Sequence, residues 1–235
     1  DKGPLMKAVL YRLTAGDRLL LVIHHLVVDG VSWRILLEDI EQGYRQALAG
    51  NDIHLGAKTV SFKKWAEEIQ RYATSEALLR EVPYWAALET VTAIPLPKDF
   101  DSKDNRYGDC QSASISFSNR ETQSLLTNTH HAYYTEINDL LLTALGRALK
   151  RWHGGDATWV TMEGHGREAL NKSLDISRTV GWFTSMYPLL LEIAGNDIGH
   201  QIKQVKETLR QIPHKGIGFG ILSEITSQSE TEKRL

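Results

Sequence analysis

Two stretches of this sequence place proton-transferring side chains next to glycine. One is His24-His25-Leu26-Val27-Val28-Asp29-Gly30; the other is Met162-Glu163-Gly164-His165-Gly166-Arg167-Glu168. A histidine and a glutamate are the pair suited to proton transfer at carbon, one group taking a proton and the other returning it. Adjacent residues of a strand point to opposite faces, so one of His24 and His25 faces a site and the other anchors the backbone. Two core histidines that satisfy their own surroundings would give the same pattern. Glu163 closes a strand, and the glycines behind it, Gly164 and Gly166, let backbone approach a ligand closely. A tight turn with solvated charges would also use these residues.

Other chemistries fit poorly. A zinc site needs three or four converging ligands. His24, His25 and Asp29 lack the i, i+4 spacing of a helical zinc pair and no cysteine joins them; His130-His131 reads as a solvated helix end. The second stretch lacks the Lys-Ser/Thr ending of a phosphate loop. There is no GxSxG elbow. The single cysteine, Cys110, lies in a polar stretch without a CxxC or CxH partner and reads as an incidental thiol. Ser32 belongs to the first turn of a helix. Asp29, at a strand-to-helix corner, should cap that helix or pair with a cation. Arg167 should form an ion pair that holds the Glu163 loop.

The elements that must position these residues follow from periodicity. Pro4–Leu13 and Arg18–Leu26 read as strands of an antiparallel hairpin turning at Thr14-Ala15-Gly16-Asp17. The second is apolar on both faces, which predicts a strand covered on both sides. A helix opens after Asp29-Gly30, with Trp33, Leu36, Leu37, Ile40, Tyr44 and Leu48 as its stripe and Gly50 at its end. A second helical stretch covers Ser61–Leu88, broken before Pro83. In the second half, Ser112–Phe117 reads as a strand and Asn119–His130 as a helix. Thr135 caps a longer helix ended by Gly154-Gly155. Thr158–Met162 and Val180–Ile193 read as strands and Ile198–Ile212 as an amphipathic helix. The chain is therefore α/β. Its 235 residues, 42% hydrophobic and 24% charged, suffice for a sizeable core. A net charge of -2 without a long basic run argues against nucleic acid as a partner. The most apolar run, Leu19–Val28, is interrupted by His24 and His25 and is too short to span a bilayer. The start, Asp1–Leu5, lacks a signal peptide's features, so a cytoplasmic protein is expected.

The stretch from His24 to Trp33 resembles the HHxxxDG signature of the condensation-domain superfamily. Glu163–Glu168 is similar to the EGHGRE motif of its epimerization domains, Thr179–Pro188 to their TVGWFTxxYP motif, and Lys215–Leu222 to their KGIGYGIL stretch, with Phe219 in place of Tyr. Asn138–Leu145 also matches. The match spans nearly the whole chain. The resemblance implies two chloramphenicol-acetyltransferase-like lobes in a V-shaped arrangement, incomplete here at both ends. It assigns 1–90 to part of the N-terminal lobe, 91–110 to the connection and 111–235 to part of the C-terminal lobe.

The implied activity is epimerization of the α-carbon of an aminoacyl or peptidyl thioester in a nonribosomal peptide synthetase. The substrate would ride on the 4'-phosphopantetheine arm of an upstream peptidyl carrier protein domain. The domain itself is expected to bind no cofactor or metal, and to engage neither nucleic acid nor membrane. His25 and Glu163 would be the catalytic pair, with Glu163 as principal base toward the L substrate. His25 would be its counterpart or stabilise the enolate oxygen, and backbone N–H groups after Gly30 could assist. His24, Asp29, Gly30, Gly164, His165 and Arg167 would support the site. The alternatives are a peptide-bond-forming condensation domain or related acyltransferase, and a non-catalytic binding module. Glu163 argues against the first, since peptide-forming relatives generally lack it; intact His25 and Glu163 argue against the second.

Overall fold

The computed structural model describes residues 3–100, 106–168, 170–171 and 173–226. The chain divides into two compact units. One comprises Asp1–Val82, Glu163–Met186 and Gly216–Leu235, and the other Pro83–Met162 and Tyr187–Lys215.

The first unit opens with the antiparallel hairpin of β1 (Met6–Tyr11) and β2 (Arg18–Ile23), registered from Met6 opposite Ile23 to Tyr11 opposite Arg18. Gly16 adopts a positive φ of 107° in the turn. Among the described residues the two strands pair only with each other. Leu19, Leu20 and Val22 are about half exposed, so β2 is not covered on both faces as its composition predicts. Leu21 and Ile23, on one face, are half-buried, while Leu20 and Val22, on the other, are exposed. β2 also stops at Ile23, short of the histidines, because the chain turns into a 3-10 helix at His25–Val27.

Helix α1 (Gly30–Leu48) follows, and Gly50, with φ 74°, donates its N–H to Ala47 O at the far end. Its buried face is Ser32, Ile35 and Gly43. The expected apolar stripe is largely exposed, with Leu37, Tyr44 and Leu48 more than half accessible. At Gly43 the buried face meets the Ile53 and Leu55 side chains at van der Waals distance. The next helical stretch is three helices, α2 (Phe62–Ala73), α3 (Glu76–Leu79) and α4 (Val82–Glu89). Ser61 and Ser75 cap the first two. Trp65, Glu68, Tyr72 and Ala73 form the buried face of α2. The last helix of this unit is α8 (Ile217–Glu224); its Gly218 lies so close to Glu81 that a Cβ would fall 2.0 Å from the carboxylate.

The second unit begins within α4. Ser112–Phe117 forms no strand, and Ile115 and Phe117 are exposed; an extended segment without a neighbour has no ladder to join. The predicted helix beyond it is composite. α5 (Asn119–Gln123) starts on a Ser118–Glu121 capping box and passes into a π-turn and a 3-10 turn ending at His131. In α6 (Ile137–His153) the Asp139 carboxylate, not Thr135, closes the first turn, accepting the N–H of Glu136 at 2.8 Å. Gly154 ends that helix with φ 79°. Strands β3 (Ala157–Gly164) and β4 (Ser185–Glu192) pair with each other. β4 starts five residues later than its apolar run because Val180–Thr184 is bonded elsewhere, as shown below. α7 (Ile198–Gln211) is capped by Asp197 and packs on α6. Leu189, Leu191, Ile193 and Val205 are the most buried apolar residues of this unit. A side chain at Gly146 would strike Ile193, so glycine sets the distance between α6 and β4.

Candidate active site

His24–Gly30 and Glu163–Glu168 fall in the first unit. His24 stands at the N-cap of the 3-10 turn and accepts the N–H of Leu26 on Nδ1 at 3.1 Å. His25 is exposed and its ring lies 5.8 Å from that of Trp182, tilted by 54°. The division between an anchoring and a free imidazole is therefore present. It arises from a turn, not from strand alternation.

Asp29 and Ser32, both buried, form the corner where α1 starts. One oxygen of Asp29 accepts the N–H of Ser32 at 2.7 Å and the other that of Phe183 at 3.2 Å. Arg167 Nη2 reaches both oxygens, at 3.2 and 3.3 Å. Asp29 thus caps the helix and pairs with a cation at once. Burial pushes its pKa up, but the Ser32 and Phe183 hydrogen bonds and the Arg167 charge outweigh it and hold the carboxyl below its usual range. Ser32 Oγ donates to Gly181 O at 2.9 Å and accepts from Gly181 N at 3.0 Å and Arg167 Nη2 at 3.1 Å. A hydroxyl has one proton and two lone pairs, and here all are engaged. Ser32 is a strut and has no capacity left for a nucleophile's role.

Arg167 joins the two stretches. Beyond Asp29 and Ser32 it donates to Ile176 O at 3.1 Å and Thr179 O at 2.8 Å, and its guanidinium lies 3.8 Å from the centroid of the Phe183 ring. Phe183 packs edge-on against Phe62 and beside Trp65. The Thr179 hydroxyl donates to Val60 O at 2.7 Å. These bonds draw 179–183 into a bracket around the start of α1, which keeps Val180–Thr184 out of the β4 ladder.

Glu163 sits near the end of β3 with its side chain exposed. Gly164 is half-buried behind it. His165 Nδ1 accepts the N–H of Arg167 at 3.0 Å, repeating the local bond that His24 makes, and its Nε2 lies 3.4 Å from Glu168. Gly166 has φ 63°, and a Cβ there would fall 1.6 Å from Phe183 O. Only glycine fits, so this residue sets how closely the Glu163 loop docks on the 179–183 bracket. Gly30 differs: a Cβ there would meet nothing within 4 Å.

Among the described residues, neither the His25 imidazole nor the Glu163 carboxylate makes a hydrogen bond or ion pair. An imidazole on a 3-10 turn and a carboxylate near the end of a strand, each with its polar atoms free among the described residues, can take and return protons of a bound molecule. Ser32 N–H is spent on Asp29, which leaves Gly30 and Val31 as the donors at the helix start. No group of three His, Cys, Asp or Glu side chains converges on a metal position among the described residues. Cys110 is exposed and unpaired with another cysteine. Among the described residues no helix is long and apolar enough to cross a membrane. Sequence reasoning did not find Gly181, Trp182 and Phe183 as parts of this corner; their polar contribution is backbone, which residue type does not reveal.

The profile of the Condensation domain family matches residues 1–235. The chain belongs to the condensation-domain family. Its structure is similar to the crystal structure of the epimerization domain from the third module of tyrocidine synthetase B, with 49% identity and a TM-score of 0.90 over 97% of this chain and 51% of that one. Similarity to the first condensation domain of the CDA synthetase is lower, at 19% identity and a TM-score of 0.65 over 90% of this chain and 45% of that one. That likeness concerns the condensation-superfamily fold alone. In sequence the chain is 50% identical to surfactin synthase subunit 1 of Bacillus subtilis (strain 168) over 99% of its length and 6% of that protein. It is 46% identical to gramicidin S synthase 1 of Brevibacillus brevis over 97% of its length and 21% of that protein. The chain thus spans about half of the solved epimerization domain and a small part of each synthetase.

Proposed function

We propose that this condensation-family chain is the central part of an epimerization domain of a nonribosomal peptide synthetase. On this reading the domain inverts the α-carbon of an aminoacyl or peptidyl thioester, L to D. The observation that carries the proposal is the 49% identity to the tyrocidine synthetase B epimerization domain at a TM-score of 0.90, against 19% to a condensation domain. Glu163 and His25, standing on one buried frame, supply the chemistry. The thioester acidifies the α-hydrogen. The Glu163 carboxylate takes that proton, the electron pair delocalises onto the thioester oxygen, and protonated His25 returns a proton to the opposite face. The Gly30 and Val31 N–H groups at the start of α1 are suited to the enolate oxygen. His24 and His165 hold their turns, Asp29 and Arg167 hold the two stretches to each other, and Gly166 allows the close approach, with Gly164 next to Glu163. The substrate arrives on the 4'-phosphopantetheine arm of the upstream peptidyl carrier protein domain, and the domain contributes no cofactor of its own. The division into lobe parts 1–90 and 111–235, joined through 91–110, belongs to this reading, as does action in the cytoplasm.

The test uses the full-length domain with its carrier loaded with an L-aminoacyl group, in deuterated water and with no acceptor. Deuterium should enter the α-position. Glu163→Gln, which keeps the shape and removes the basicity, should lower that exchange by about 10²-fold or more while carrier binding persists. Acceptor-dependent transfer without α-exchange would assign the chain to the acyl-transferring members of the family instead.

A further inference from the structure

We infer that Trp182 is a positioning residue for His25: its indole sets the orientation of the imidazole, and the buried Asp29–Ser32–Arg167 corner sets the indole. The inference rests on the proposal that His25 exchanges a proton with substrate. His25 belongs to a three-residue 3-10 turn, is exposed, and has no hydrogen bond to either ring nitrogen among the described residues. Left so, its ring would turn freely among rotamers. The group against it is Trp182, at a centroid distance of 5.8 Å and a tilt of 54°, within the range of favourable aromatic pairs.

Trp182 is itself 43% exposed, so core packing does not account for its place. It also borders an open apolar cavity lined by Phe62, Trp65 and Ile217. What holds it is the chain on either side. Gly181 is tied by both its N–H and its carbonyl to Ser32 Oγ, and a Cβ at Gly181 would strike the Phe62 ring at 2.2 Å. Phe183 gives its N–H to Asp29 and its ring face to Arg167. A residue with both neighbours clamped has little backbone freedom, so its large side chain is a rigid wall for the imidazole. The corner thereby acts on the reaction without touching substrate. A displacement of a reacting group by about 1 Å can cost 10²-fold in rate.

The experiment measures α-deuterium exchange from each epimer separately, in single turnover, with the full-length domain and its loaded carrier. Trp182→Leu should slow exchange by about 10- to 100-fold in the direction that His25→Ala slows, and leave the opposite direction and the KM for loaded carrier within about twofold. Trp182→Phe, which keeps an aromatic edge, should restore most of that loss. Trp182→Leu added to His25→Ala should cost nothing further, while added to Glu163→Gln it should keep its effect. If Trp182→Leu exchanges at the wild-type rate while His25→Ala is crippled, the positioning role alone is wrong. Equal slowing in both directions, or a full further loss on top of His25→Ala, also overturns it. A wild-type rate for His25→Ala itself overturns the assignment of His25, and this inference with it.

Discussion

Replacing Asp29 by alanine takes one carboxylate from three donors at once, Ser32 N–H, Phe183 N–H and Arg167 Nη2. Ser32 N–H loses its cap, a change that costs about 1 kcal/mol in exposed helices. Phe183 N–H is left buried without an acceptor, for about 1–3 kcal/mol. Arg167, whose side chain is only 8% exposed, loses its counter-charge. Breaking a buried pair from one side typically costs about 3–5 kcal/mol. These contributions overlap, and Arg167 keeps the carbonyls of Ile176 and Thr179 and the Phe183 ring. The expectation is therefore the low end, about 3 kcal/mol. At about 2–4 °C per kcal/mol for a domain of this size, the midpoint should fall by about 6–12 °C. Thermal unfolding followed by circular dichroism reads this directly, with α-exchange measured well below the midpoint on the same preparations. The folded variant should keep measurable exchange.

The pH dependence has a definite sign. Asp29 titrates below its ordinary value of 3.8 in the folded protein, so its contribution is present above that value and is lost as pH falls through the folded pKa. The stability gap between wild type and Asp29→Ala should be flat between about pH 5 and 8 and close only below about pH 4. An unchanged midpoint with abolished exchange would refute the reasoning and make Asp29 a reacting group. A gap that opened toward acid would refute the direction of the pKa shift.

Two further substitutions test the frame. Gly166→Ala must move backbone, since its Cβ would fall 1.6 Å from Phe183 O; Gly50→Ala has a similar positive φ and open space, and is the control. The control should cost about 1 kcal/mol and Gly166→Ala at least 3 kcal/mol more, read from denaturant midpoints; equal costs would mean the loop docks less closely than described. Ser32→Ala should lower stability by about 1–3 kcal/mol while the folded protein exchanges α-hydrogen normally; lost exchange at full stability would make the hydroxyl a reactant.

The sequence is most legible where a residue type has a local meaning. The hairpin, the Asp29 cap, Gly50 and Gly154 at helix ends, and the amphipathic α7 all follow from neighbours within a few positions. It misleads where an element's surroundings decide. Leu37, Tyr44 and Leu48 have helical spacing, yet the inner face of α1 is Ser32, Ile35 and Gly43. β2 is apolar on both faces, which suits cover on two sides, yet Leu19, Leu20 and Val22 are about half exposed in this chain, which spans about half of the solved epimerization domain. Val180–Thr184 is apolar enough for a strand, but Thr179, Gly181 and Phe183 spend their backbone or side-chain bonds on Val60, Ser32 and Asp29. The candidate pair His25 and Glu163 is legible as residue types in motifs. The frame beneath them is not, because it closes contacts between residues 29–32 and 167–183, and nothing local records that pairing.

That frame explains why the polar residues of the two motifs divide so sharply by burial. Asp29, Ser32 and Arg167 are buried and bonded almost to capacity, while His25 and Glu163 are exposed and unbonded within the described chain. A group that must change protonation state in turnover cannot also be a fixed partner in a buried network, since each proton transfer would break a bond worth about 1–3 kcal/mol. A group that holds two distant stretches together must keep one charge state throughout. On the proposed reading the fold meets both demands by burying the fixed charges and leaving His25, in a 3-10 turn, and Glu163, near the end of β3, exposed. Arg167 is suited to the lower position because its guanidinium stays charged and offers five donors in a plane, enough for Asp29, Ser32 and two carbonyls at once. Lysine there would keep the charge but could not span those acceptors. Arg167→Lys should therefore behave as a stability variant close to Asp29→Ala rather than as a silent exchange.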